Sequence, residues 1–110
     1  MLRKEVLRRD KDFTRTYNKG KVTRSKYVVI FYINNNLGYN RTAFLASKKV
    51  GNAVERNRAR RLMKESIRTM SPLDQAGYDI IFVARNAIKN KKCADVKKSI
   101  EAAIKRTELK

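Results

Sequence analysis

Two uninterrupted runs of β-branched and aromatic residues constrain the fold more than any other feature of the chain. They cover residues 27–33 and 78–84. Each has the length and composition of a buried strand. A further strand is predicted over residues 41–47, after the turn-forming sequence Asn34-Asn35-Asn36-Leu37-Gly38. We therefore expect the strand over 41–47 to pair antiparallel with the strand over 27–33 through this turn.

Three segments have the pattern of helices. A short helix is expected to have Asp10 as its N-cap and to end at Gly20, with Phe13 and Tyr17 on one face. A long helix is predicted from about residue 52 to 70, where Ser71-Pro72 ends it. The segment 93–109 predicts an amphipathic helix that buries Val96, Ile100, Ala103 and Ile104.

The order of these elements predicts a single domain, residues 1–110, of the α+β or α/β class. The long helix lies between two strands, which is typical of a parallel pair joined by a crossover. A short extra strand is predicted around Val22. The expectation is a small sheet of about four strands covered by three helices, in the order α-β-β-β-α-β-α.

The charge indicates the kind of partner. Lys and Arg number 28 against 10 Asp and Glu, which gives a net charge of +18. Repulsion on that scale favours binding to a polyanion, nucleic acid first and an anionic membrane second. No apolar run approaches the ~20 residues that span a bilayer. We therefore predict a cytoplasmic protein that does not bind membranes.

The titratable residues argue against catalysis by the protein itself. The chain has no histidine, the commonest general base, and one cysteine, Cys93. The acidic residues are scattered singly, with no evident set of carboxylates for a metal. We therefore expect no catalytic residue, no metal ligand and no cofactor bound by the protein alone.

The long helix has two contrasting sides. On a helical wheel, one arc of roughly 140° collects its apolar positions, Ala59, Leu62, Met63, Ser66, Ile67 and Met70. The opposite side collects Asn57, Arg60, Arg61, Lys64 and Arg68. This cationic side is either a solvated surface or a contact for RNA or DNA, and the large net charge favours the contact. Charge alone does not distinguish the two nucleic acids.

The segment from Lys48 to Leu62, KKVGNAVERNRARRL, resembles the signature of the bacterial ribonuclease P protein family. Its Arg56-Asn57-Arg58 motif is intact. The resemblance continues in Asp12-Phe13, Tyr17 and Gly20 and in the strand that begins at Tyr78.

The resemblance implies an α/β sandwich whose β-α-β crossover has the unusual left-handed sense. It also implies a protein subunit of an enzyme that removes the 5′ leader from precursor tRNA and cleaves other RNAs such as the 4.5S RNA precursor. In this family the catalyst is the RNA subunit with bound Mg²⁺, and the protein broadens the range of substrates. The implied partners are the catalytic RNA and precursor tRNA, with no obligate protein partner.

Two groups of residues are predicted to contact RNA. The group for the RNA subunit comprises Lys48, Lys49, Asn52, Arg56, Asn57, Arg58, Arg60, Arg61, Lys64 and Arg68. The group for the leader comprises Lys11, Phe13, Arg15 and Tyr17.

The aromatic pair has two interpretations. From the residues alone, Phe13 and Tyr17 fit either a stacking surface for bases or a packing contact with the sheet. The resemblance favours a cleft for the leader, to which Ile30 or Tyr32 would contribute from the first long strand.

Two other functions compete with a ribonuclease P subunit. A generic RNA- or DNA-binding module needs only the positive charge, whereas the ordered segment from Lys48 to Leu62 favours the subunit. An autonomous nuclease is disfavoured, because the groups that would perform the chemistry are not evident.

Overall fold

The computed structural model describes residues 4–73 and 75–109. Three helices and four strands occur in the predicted order, with a short 3-10 helix at Asn86–Ile88. Their bounds are α1 Asp10–Lys19, β1 Lys21–Arg24, β2 Val28–Asn34, β3 Arg41–Leu45, α2 Ala53–Thr69, β4 Tyr78–Ala84 and α3 Cys93–Lys105. The predicted α+β class is confirmed, as is the short strand around Val22.

The four strands form one mixed sheet in the order β1-β2-β4-β3. β2 pairs antiparallel with both β1 and β4, and β3 pairs parallel with β4. The predicted parallel pair around α2 is therefore confirmed, whereas the predicted antiparallel pairing of β2 with β3 is wrong. The left-handed sense of the crossover stays a prediction from the resemblance.

The apolar content of β4 explains why it separates β2 from β3. Its residues from Asp79 to Phe82 are all buried, so it takes a central position covered on both faces. β3 contains Arg41 and Thr42 and lies at the edge of the sheet. The loop between β2 and β3 only has to cross two strand spacings, about 10 Å, which its length allows.

Each face of the sheet has its own core. On one face α2 and α3 cover the larger core, with Met63, Phe82 and Ile100 fully buried. The other face carries a smaller core formed by Leu7, Ala43 and Ile81, with Phe13, Phe31, Leu45 and Val83 packed around it. α1 lies over β2 and β4 on this second face and leaves part of it open.

The helix ends follow local hydrogen bonding. Arg9, rather than the predicted Asp10, is the N-cap of α1, and Asp10 lies in the first turn, where the helix dipole favours a carboxylate. α3 ends at Lys105, four residues before the predicted end, because the hydroxyl of Thr107 donates to the carbonyl of Ile104 and accepts from the amide of Leu109. In the described part of the chain, no helix is long and apolar enough to cross a membrane.

Candidate RNA interface

The outward side of α2 carries the cationic residues that the helical wheel predicts. Ala59, Met63 and Ser66 are buried against the larger core. The opposite side presents Asn57, Arg60, Arg61, Lys64 and Arg68, which we call the basic face. All of these are exposed except Arg60, which is half-buried. A guanidinium or ammonium in this position can donate hydrogen bonds to phosphates.

The motif Arg56-Asn57-Arg58 is divided over three directions. Asn57 points outward and accepts a 2.6 Å hydrogen bond from Nη1 of Arg60. Arg56 is half-buried on one flank, and its Nε finds no hydrogen-bond partner among the described residues. Arg58 turns to the other flank and donates to the carbonyl oxygen of Lys91 at 2.8 Å. Asn57 therefore belongs to the basic face, and the exposed Arg58 lies beside it, where it lines the same depression as Arg61, Lys64 and Arg68.

The start of α2 is fixed by a capping box. The Asn52 side chain accepts from the amide of Glu55 at 2.9 Å, and the Glu55 carboxylate accepts from the amide of Asn52 at 2.9 Å. This hydrogen bond and the ammonium of Lys89 lower the pKa of Glu55. Asn52 thus has a structural task besides its predicted RNA contact. Lys48 and Lys49 lie exposed on the turn just before the helix.

One of the predicted cations is paired within the helix. Arg68 forms a two-pronged ion pair with Glu65, which lowers the pKa of that carboxyl. Arg60, Arg61 and Lys64 form no ion pair with a carboxylate in the described residues. These three side chains are therefore the part of the basic face that is free for an anionic partner.

An aromatic surface lies on the other face of the sheet. Tyr17 packs edge-on against Phe31, with ring centroids 4.8 Å apart. Tyr17 stays 41% exposed, and its partial burial raises its pKa. Phe13, one turn earlier on α1, is half-buried against the smaller core. We call Phe13, Tyr17 and Phe31 the aromatic surface.

An ion-pair network anchors α1 beside this surface. Asp79 is completely buried and accepts hydrogen bonds from Nε and Nη2 of Arg41, at 2.8 and 2.7 Å, and from Asn35 at 2.9 Å. Arg41 also lies 3.4 Å from the carboxylate of Asp12, and Arg15 lies 3.8 Å from Asp79. Arg15, which is predicted to contact the leader, therefore directs its guanidinium into this network. Lys11 is exposed.

Comparisons with known proteins agree on one family. A family model described as Ribonuclease P matches residues 1–108. The ribonuclease P protein component of Clostridioides difficile is 42% identical over 108 residues, which cover 97% of this chain and 95% of the relative. That of Pelotomaculum thermopropionicum is 39% identical over 105 residues, which cover 96% and 94%. The chain belongs to the ribonuclease P protein family.

Solved structures of ribonuclease P proteins have the same fold. The Staphylococcus aureus protein superposes with a TM-score of 0.85 at 28% identity, covering 97% of this chain and 98% of that one. The Thermotoga maritima protein gives a TM-score of 0.84 at 26% identity, covering 96% and 99%. The chain is thus a protein subunit of ribonuclease P, the ribonucleoprotein of tRNA 5′ processing, and associates with the ribonuclease P RNA.

Two features of this ribonuclease P protein escaped the sequence interpretation. Ile30 and Tyr32 face the larger core and are buried, so neither joins the aromatic surface; Phe31 between them does. Side chains alternate between the two faces along β2, so Ile30 and Tyr32 share the face of Val28 and Phe31 takes the opposite one. The Asp79 network escaped because it joins α1, β3 and β4, whose contact depends on the sheet order.

Proposed function

We propose that the basic face of α2 binds the ribonuclease P RNA. The observation that supports this proposal is the set of side chains of Arg60, Arg61 and Lys64. They project from one side of a rigid helix and form no ion pair with a described carboxylate. Cations without a carboxylate partner in the protein contribute the most binding free energy when they displace the condensed ions of an RNA backbone. Lys48 and Lys49 extend the same positive region towards the preceding turn.

In this proposal the RNA subunit and its Mg²⁺ perform the cleavage of the phosphodiester bond. The chain contains no histidine. Among the described residues, no group of three His, Cys, Asp or Glu side chains is placed to hold a metal ion. The protein contributes positive charge and binding surface, which stabilise the folded RNA and extend cleavage to substrates such as the 4.5S RNA precursor. We place this work in the cytoplasm, where bacterial precursor tRNA is made.

The aromatic surface is proposed to bind the single-stranded leader of precursor tRNA. Tyr17 and Phe31 offer ring area on an open part of the sheet face, and Lys11 lies exposed on the same helix as Tyr17. Bases of a single strand stack on such rings while cations take the backbone. A leader bound here leaves α2, on the other face of the sheet, available for the RNA subunit.

Reconstitution tests the division of labour between protein and RNA. The purified chain should raise the rate of leader removal by ribonuclease P RNA at limiting Mg²⁺, because it supplies charge that extra Mg²⁺ would otherwise supply. The chain alone should leave precursor tRNA intact at every Mg²⁺ concentration. Protein-dependent cleavage that survives complete removal of the RNA subunit would contradict the proposal.

Differential binding tests the leader contact. In the holoenzyme, Tyr17→Ala should weaken the binding of precursor tRNA by roughly 1–3 kcal/mol, the contribution of one stacked base. The binding of mature tRNA should stay unchanged. Thermal melts of the free chain provide the control, because Tyr17 is largely exposed and its loss should cost only the edge-on contact with Phe31, about 1 kcal/mol. Equal losses for both tRNAs together with a large fall in stability would make Tyr17 a packing residue.

A further inference from the structure

A second cationic site lies at the β1 edge of the sheet, where the turn between β1 and β2 meets α3. It is an open depression of about 470 Å³. Its lining includes four cationic side chains and two hydroxyls, which come from Arg24, Ser25, Lys26, Arg85, Ser99 and Arg106. In the described part of the chain, no acidic residue lines it. We call this depression the edge pocket.

Two guanidinium groups in the edge pocket, those of Arg85 and Arg106, are held in place by the backbone of the turn. Nη1 of Arg85 donates to the carbonyl of Ser25 at 3.0 Å, and Nη2 of Arg106 donates to the carbonyl of Arg24. The hydroxyl of Ser99 donates to that of Ser25 at 2.6 Å, which joins the turn to α3. Each of these arginines uses one of its several N–H donors in this way, so the others remain for a ligand.

The charges of the edge pocket are not neutralised internally. None of its four cations forms an ion pair with a carboxylate of the described residues. Several acids of the described residues pair with cations elsewhere, as in Lys21 with Glu108 and Lys89 with Glu55. Like charges held together without a counter-ion repel each other, and a bound anion removes that repulsion.

The position of the edge pocket relates it to the aromatic surface. In the register of the sheet, Val22 lies opposite Phe31 and Arg24 lies opposite Val29. Residues two apart on a strand face the same side, so Arg24 extends from the face that carries Phe31 and Tyr17. α3 packs against α2 on one flank and against β1 and β2 below it, so the edge pocket lies away from the basic face.

We propose that the edge pocket binds backbone phosphates of the same single-stranded RNA whose bases contact the aromatic surface. The inference rests on the proposed leader contact and adds a direction to it: the strand leaves the rings towards the turn between β1 and β2. A strand long enough to reach both places gains stacking at Tyr17 and charge contacts at Arg24 and Lys26. A strand that covers only the rings gains the stacking alone.

Binding of labelled oligouridylates to the free chain tests the edge pocket. The variant Arg24→Gln with Lys26→Gln removes two pocket charges and leaves neutral polar side chains. Both residues are exposed, so the fold is expected to persist. The control Lys98→Gln with Lys105→Gln removes the same charge from exposed positions of α3 outside the pocket. Circular dichroism of both variants checks the fold.

The expected result is specific in strand length and in salt dependence. The loss of two phosphate contacts reduces the slope of log binding constant against log salt concentration by about 1.4. It also weakens the binding of a long oligouridylate about 25-fold at ~0.1 M salt. The control variant should change much less, and a di- or trinucleotide should bind all three proteins alike.

Three results would overturn the inference. Equal losses in the pocket variant and the control would make the effect one of overall charge, with the leader contact intact. If the pocket variant lost affinity only for the ribonuclease P RNA, titrated in parallel, the edge pocket would be assigned to structured RNA instead. Absence of any oligouridylate binding by the wild-type chain would remove the leader contact and the edge pocket together, which separates it from the first result.

Discussion

Removal of the buried carboxylate of Asp79 should destabilise this protein more than most single substitutions. Asp79 is completely buried and receives two hydrogen bonds from Arg41, whose side chain is 21% exposed. Asp79→Ala leaves that guanidinium and the Asn35 amide without their buried acceptor. Loss of one partner of a buried ion pair costs about 3–5 kcal/mol. A domain of this size has a total stability of about 5–15 kcal/mol, so the variant should lose a fifth or more of it.

The double variant Arg41→Met with Asp79→Leu provides the decisive comparison. It removes both charges together and replaces them with apolar groups, which is often neutral or even stabilising. We expect it to lose less than half of what Asp79→Ala loses. Urea unfolding followed by circular dichroism measures both, in one buffer, because an anion that binds the folded chain adds apparent stability. A cost below about 1 kcal/mol for Asp79→Ala, or a larger cost for the double variant, would refute the reasoning.

Three further predictions concern Tyr32, Asn52 and Phe31. Burial and the nearby Glu108 carboxylate raise the pKa of Tyr32 to about 12, from the ordinary 10.0 that the unfolded chain has. The contribution of Tyr32 to stability is therefore full below pH 10 and lost as the pH rises through about 12. An ultraviolet absorbance titration should show a tyrosine that ionises at this high pH, and Tyr32→Phe should remove it. Asn52→Ala should cost about 1 kcal/mol in thermal unfolding, because it removes the capping box of α2, and an unchanged melting temperature would contradict that role. Phe31→Leu should weaken the binding of precursor tRNA and leave the binding of mature tRNA unchanged. Ile30→Val should only lower the free energy of unfolding, by about 0.5–1.5 kcal/mol. The reverse pattern would exchange the roles of these two residues.

Local patterns in the sequence predicted the elements of this fold well. The bounds of β4 are those predicted from its apolar run, because a strand buried on both faces has a composition that few other structures share. α2 begins one residue after Asn52 and ends one residue before Met70, since the capping box and Ser71-Pro72 are local signals. The basic face was likewise visible on a helical wheel.

The pairing of the strands depended on information that local patterns do not contain. An Asn- and Gly-containing loop between two strands indicates a hairpin, yet β4 competes for the same position beside β2 and buries more apolar surface there. The order of the sheet in turn decides which residues of α1, β3 and β4 meet. The Asp79 network could not be predicted before that order was known.

The division of the Arg56-Asn57-Arg58 motif shows the same limit at the candidate site. The wheel placed Asn57 on the basic face, and the RNA contacts of all three residues stay predictions. The structure directs Arg58 to the carbonyl of Lys91 and half-buries Arg56. The contact of Arg58 with the segment before α3 depends on tertiary packing, and no pattern within α2 reports it.

The most direct test of the account is the salt dependence of binding to ribonuclease P RNA. The variant Arg60→Ala, Arg61→Ala, Lys64→Ala should weaken binding and reduce the log–log salt slope by ~2–3, while its fold persists, because these side chains lie opposite the core and Ala favours helix. The matched control Lys19→Ala, Lys98→Ala, Lys105→Ala removes three exposed cations elsewhere and should change the slope far less. An unchanged slope in the folded α2 variant, or equal changes in both variants, would show that the basic face is a solvated surface and not the contact with the RNA subunit.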